Sequence, residues 1–157
     1  CKEHSGRLYL GNISDAEDKY KPDTSETNNA SIIMVIEHDN KKLLFTGDSS
    51  AENIITAVNK YYKNTWFDIF KLPHHGSQHN ISRELINRIK ANKYIISTNK
   101  TVEKVVLLRM VEENETTELL CNYNWWNLGY FTDDDLTRYI NTGIIVLTDI
   151  GEEKVII

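Results

Sequence analysis

Between Ser31 and Ser97 short apolar runs alternate with segments of helical period, and no other feature narrows the fold of this chain as much. Ser31–Glu37 (SIIMVIE) and Leu43–Thr46 (LLFT) have the aliphatic and β-branched content of strands. The intervening His38-Asp39-Asn40-Lys41 has the composition of a hairpin turn. The two runs are nearly continuous in apolar character, which predicts burial on both faces. Ile54, Ile55, Val58 and Tyr61 then recur at helical spacing. Ser49 stands where an N-cap is expected, with Glu52 three residues on as its capping-box partner. Asp68–Leu72 (DIFKL) reads as a strand that stops at Pro73. Asn80 is placed to cap a second helix with the stripe Ile81, Leu85, Ile86 and Ile89, and Tyr94–Ser97 is another strand. The order strand, strand, helix, strand, helix, strand predicts an α/β layer arrangement.

The flanks are less regular. Arg7–Gly11 reads as a short strand, and Asn12–Asn29, polar and holding Pro22, as a loop. Thr101–Glu112 carries the stripe Val102, Val105, Val106, Arg109 and Met110, which suits a helix, although its β-branched content pulls toward strand. Leu119–Tyr130 shows no clear period. Thr132 followed by three aspartates predicts a capped, acidic helix start, with Gly143 as the stop. Gly143–Thr148 and Lys154–Ile157 are expected to form a hairpin around Asp149-Ile150-Gly151.

A length of 157 residues suits one domain or a large piece of one. The formal net charge of −5 argues against a chain-wide electrostatic footprint for nucleic acid, while leaving room for a local basic groove. Cys1 and Cys121 stand far apart and outside any CxxC pattern, so a reducing, cytoplasmic setting is expected. No run approaches the roughly 18 apolar residues of a membrane span. The first methionine is Met34, and a preceding segment is expected in preference to a lipid-anchored start at Cys1.

Two strand exits carry side chains that could do chemistry. Leu43-Leu44-Phe45-Thr46-Gly47-Asp48 delivers a carboxylate to a loop rim through a permissive glycine; the simpler reading is that Asp48 caps the next helix. Lys71-Leu72-Pro73-His74-His75-Gly76-Ser77 delivers paired imidazoles in the same way. Neutral imidazole is a common zinc ligand, and a solvated or packed pair is the alternative. His79 nearby reads as a surface residue. Asn28-Asn29-Ala30-Ser31 reads by itself as a loop closure built on side-chain to backbone bonds.

Taken in this order, NNAS before a strand, LLFTGD and DIFKLPHHGS resemble the metallo-β-lactamase superfamily, and within it the ComEC-like hydrolases. The resemblance is specific over Asn28–Thr98 and looser at Thr148, Asp149 and Gly151, and residues 101–130 read as an insertion. It implies the C-terminal half of a four-layer αββα fold, one mixed sheet with flanking helices, spanning residues 1–157. Asp48 would be the carboxylate that bridges two metals and His75 the last histidine ligand. His74 would be a neighbour facing the substrate, or the ligand in its place. Ser77 and Asn29 would shape loops at the edge. The cofactors implied are two zinc ions, or manganese, that activate a bridging water for hydrolysis, with phosphodiesters or nucleic acid as substrate.

The family's H-x-H-x-D-H cluster has no counterpart among the five histidines His4, His38, His74, His75 and His79. The chain alone is therefore expected to be inactive and to bind zinc weakly. The expected partner is the N-terminal half of the fold, in cis or on another chain. The alternative is a non-catalytic module of the same fold used for protein interaction, with Trp125–Tyr130 as a candidate contact.

Overall fold

The path of the chain is set by which way each crossover steps. The structure, a computed structural model, describes residues 11–126 and 129–151. The strands expected at 7–10 and 154–157 lie outside these residues. After a 3-10 turn at Ile13–Asp15 and a short helix α1 (Glu26–Asn29) come β1 (Met34–His38), β2 (Lys41–Phe45), α2 (Ala51–Tyr61) and β3 (Trp66–Lys71). Then follow α3 (Arg83–Arg88), β4 (Lys90–Ile96), α4 (Lys104–Glu113), β5 (Thr117–Cys121), α5 (Asp133–Asp135) and β6 (Ile145–Asp149). The strands form one sheet in the order β1-β2-β3-β4-β5-β6. Only β1 and β2 are antiparallel; β2 to β6 run parallel.

Every parallel step moves the same way across the sheet. Right-handed crossovers then put α2, α3, α4 and α5 on one face. The packing agrees. Leu44, Phe70, Tyr94 and Leu119 lie side by side in register, and they share one buried cluster with Ile54, Val58, Leu85, Ile86, Val106 and Met110 from the helices. Each such aliphatic side chain contributes about 1.5–3 kcal/mol on burial. The opposite face carries Ile36, Leu43, Ile69, Lys93, Glu118 and Val146 in one register row, with Lys93 and Glu118 ion-paired at 3.1 Å.

Several local expectations need correction. The hairpin forms, its turn residues Asp39 (φ 48°) and Asn40 (φ 63°) both left-handed as a two-residue loop with right-handed strand twist requires. Burial of β1 on both faces does not: β1 is an edge strand, with Met34 46% and Ile36 41% exposed. Its position follows from the crossovers, all of which step away from it. The cap of α2 is Ser50, whose side chain accepts from the Asn53 N–H. Ser49 is still part of the preceding turn, its N–H bonded to Thr46 O, so the helix starts one residue later. Ser82 caps α3, which releases Asn80 for a different role.

Residues 101–121 supply α4 and then β5, the latter between β4 and β6. In the helical stripe of α4, Arg109 is a cation 1% exposed. Its guanidinium is held by Asp18 (2.6 Å) and by the carbonyls of Gln78 (2.6 Å) and Ile81 (2.5 Å), which meets the requirement that a buried charge be paired and hydrogen-bonded. Thr132 and Asp135 form the expected capping box, and Gly143 follows the π-helical turn Leu136–Ile140 with φ 76°. No helix among the described residues is long and apolar enough to cross a membrane.

Candidate functional site

In a parallel sheet the loops leaving the carboxyl ends of the strands share one edge, where ligands of open α/β folds collect. Asp48 leaves β2, His74 and His75 leave β3, Ser97–Thr101 leave β4, and Asn122 and Tyr123 leave β5. The first two loops are stitched together. The His74 N–H donates to Gly47 O at 3.0 Å, and Thr46 Oγ1 donates to Lys71 O at 3.2 Å.

The Asn28–Ser31 segment supports the Asp48 loop from beneath. The Asp48 N–H donates to Ser31 Oγ (3.1 Å), and the Ser50 N–H to Asn29 Oδ1 (3.3 Å). Gly47 is left-handed (φ 55°), and a Cβ there would meet Ser31 Cβ at 2.9 Å. Asn29 therefore shapes this loop, and Asp48 does not cap α2. Asp48 is a half-buried residue. Burial depresses the Lys71 ammonium below its ordinary value, and the charge of Asp48 partly offsets that.

Both histidines adopt left-handed backbone, His74 at φ 43° and His75 at φ 57°. That conformation is uncommon outside glycine and is held by surrounding structure where it persists. His75 Nδ1 is 2.6 Å from Ser97 O. A carbonyl only accepts, so Nδ1 carries a proton, and in the neutral ring the lone pair is on Nε2. A carbonyl or carboxylate that fixes the tautomer in this way is the usual support of a metal-ligating imidazole. His74 Nδ1 faces Asn80 Oδ1 at 3.2 Å and Asp23 Oδ2 at 3.3 Å.

Asn80 is the hub. It is fully buried, and its Nδ2 donates to Asp48 O (3.0 Å), Ser49 O (3.2 Å) and Asp23 Oδ2 (3.3 Å). Asp23 is held down to about 2, first by the side-chain amide of Asn28 and then by the Ser25 N–H, with Asn80 and His74 adding to the effect. Sequence reading missed both residues. Asn80 has the local signature of a cap, and Asp23 sits in a polar loop with nothing to distinguish it.

The structure thus joins the Asp48 and His74–His75 loops through their backbones and through Asn80. It does not bring a full ligand set together: among the described residues no group of three or more His, Cys, Asp and Glu side chains could hold a metal ion. His79 is a surface residue whose Nδ1 lies 2.8 Å from Lys21 O. His4 lies outside the described residues, and His38 is exposed beside Asp39. A cleft of about 440 Å³ opens next to His75, lined by the loops after β3, β4 and β5.

Over 79 residues the chain is 30% identical to ComE operon protein 3 of Bacillus subtilis (strain 168). The match covers 50% of this chain and 10% of that protein, so the chain spans a small part of its relative's length. No family model matches the chain, and no solved structure matches it.

Proposed function

We propose that this chain is the C-terminal half of a metallo-β-lactamase-type hydrolase, with a phosphodiester as the substrate of the complete protein. The observation that carries the reading is His75, whose Nδ1 is engaged by Ser97 O and whose Nε2 is left free at the carboxyl edge of the sheet. Asp48 on the adjoining loop supplies a carboxylate of the right chemistry. His75 and Asp48 would each hold a metal, with His74 lending a second imidazole beside them. They are too few for a working centre, which needs three or more protein ligands per metal and an open position. Two zinc ions, or manganese, would supply an activated water; the remaining ligands would come from the other half of the fold. The three sequence segments and the partial match to ComE operon protein 3 support the same direction.

A second reading, an interaction module without catalysis, is favoured by a different observation. The sheet face away from the helices exposes Met34, Ile36 and Val146 near its margins, and Ile32, before β1, is 83% exposed. The apolar patch around Ile32, Met34 and Ile36 at the β1 edge is the part of this surface suited to a partner. In the hydrolase reading that partner is the other half of the fold.

The deciding experiment assays the full-length protein, loaded with zinc or manganese, on bis(p-nitrophenyl) phosphate. Loss of about 100-fold or more in Asp48→Ala and His75→Ala is expected, whereas no turnover, or turnover indifferent to both changes, leaves the interaction module. The 157-residue chain by itself is expected to be inactive and to bind zinc weakly. Micromolar zinc binding lost in both variants would overturn that expectation.

A further inference from the structure

Asn80 faces the His74 ring and carries the Asp48 loop, yet it stands in a turn, outside helix and strand. The turn is gripped from α4. Arg109 Nη1 donates to carbonyls on both sides of Asn80, Gln78 O at 2.6 Å and Ile81 O at 2.5 Å. Its Nε and Nη2 donate to Asp18 Oδ1 at 2.8 and 2.6 Å. Asp18 precedes Asp23, the other group facing His74 Nδ1, in the same loop. Tyr20, between them, lays its ring 5.3 Å from the guanidinium carbon. One fully buried guanidinium therefore holds both segments that meet the His74 ring.

Stability alone does not call for an arginine here. An apolar side chain fills buried space without stripping a cation of its water. What the guanidinium adds is a planar, rigid fork that fixes several acceptors in one geometry. We propose that Arg109 is a positioning residue for the histidine site: it sets the places of Asn80 and Asp23, and through them the orientation of the His74 ring. That orienting role stands on the geometry, and its effect on turnover rests on the hydrolase reading.

The test compares Arg109→Lys with Val58→Ala in the full-length protein. Lysine keeps the charge but not the fork. Val58→Ala opens a cavity in the buried cluster and serves as the stability control. Correlation spectra of the ring nitrogens should show the His74 signals displaced in Arg109→Lys and unmoved in Val58→Ala, whatever each change does to the melting temperature. On bis(p-nitrophenyl) phosphate, Arg109→Lys should lower kcat about ten-fold while KM stays within about two-fold, the signature of a misplaced group and not of lost substrate binding. A second pair works from the other side of the bond. Asp18→Asn keeps an oxygen for the fork and should leave the His74 signals in place, whereas Asp18→Ala should displace them. Should Arg109→Lys not fold, the Asp18 pair decides alone.

His74 signals unmoved in both Arg109→Lys and Asp18→Ala, or displaced as far in Val58→Ala, would overturn the proposal. The two readings fail separately. A parent protein without turnover removes the hydrolase and leaves the ring signals to decide on Arg109. Turnover lost in Asp48→Ala but with kcat unchanged in a folded Arg109→Lys removes the positioning role and leaves the hydrolase.

Discussion

His75 Nδ1 lies 2.6 Å from the carbonyl oxygen of Ser97, tying the loop after β3 to the end of β4 across 22 residues of sequence. The bond dictates the tautomer. In its neutral form His75 should be the Nδ1–H imidazole, which heteronuclear correlation of the ring nitrogens reads directly; an Nε2–H ring would remove the argument for a free ligand nitrogen. The backbone tells a separate story. Replacing His75 by glycine loses this bond, worth about 0.5–1.5 kcal/mol, and relieves a left-handed backbone costing a similar amount. The His75→Gly variant should therefore stay within about 1 kcal/mol of the parent in urea denaturation while losing any metal affinity of the site.

Asn80 offers no such compensation. Its buried carboxamide serves the carbonyls of Asp48 and Ser49, Asp23 and the His74 ring. Asn80→Ala should cost about 2–4 kcal/mol, because the buried carbonyl of Ser49 and the part-buried one of Asp48 lose their donor. A cost below about 1 kcal/mol in urea denaturation would show that Asn80 is not the hub.

Gly47→Ala meets both a positive φ of 55° and a Cβ contact of 2.9 Å with Ser31. A loss of about 1–3 kcal/mol is expected, together with a displaced Asp48 loop visible as shifted amide resonances at Ser31 and Asn80. An unchanged stability would mean that the loop adjusts freely.

Asp23 sets an acid limit. Its folded value of about 2 lies below the ordinary 3.8, so the folded state binds this proton less readily than the unfolded chain. The contribution to stability is complete above about pH 4 and disappears as pH falls through 2. Stability measured across this window should decline, and Asp23→Asn should flatten that part of the profile. A variant with the parent's full slope would assign the effect to other carboxylates.

The Lys104–Asp135 pair is sealed beneath Tyr130 and Phe131, its side chains 3% and 0% exposed. Asp135 also accepts from the Ile13 N–H at 2.7 Å. Asp135→Ala strands a buried ammonium and should cost about 3–5 kcal/mol, whereas Lys104→Met together with Asp135→Leu should cost less than the sum of the single changes. Strict additivity in a double-mutant cycle would argue against coupling.

What the sequence by itself determined is local. Period and turn chemistry placed the hairpin, the helices α2 and α4, and the Thr132 capping box, because those signals act over three or four residues; Tyr61, expected in the α2 stripe, is 69% exposed. The same locality misassigned Ser49 and Asn80, each one or two residues from the true cap and each with a cap's chemistry. The histidine pair and Asp48 were legible as strand exits, but not their surroundings.

Only the tertiary structure decided that β1 is an edge, that all the crossover helices share one face, and that Asp23, Asn80 and Ser97 orient the two imidazoles. Those relations join residues far apart in the chain. They arise when parallel crossovers bring the carboxyl ends of β2, β3 and β4 to one edge, where buried polar groups must find partners or go unpaired. A local pattern carries no record of which partner that will be.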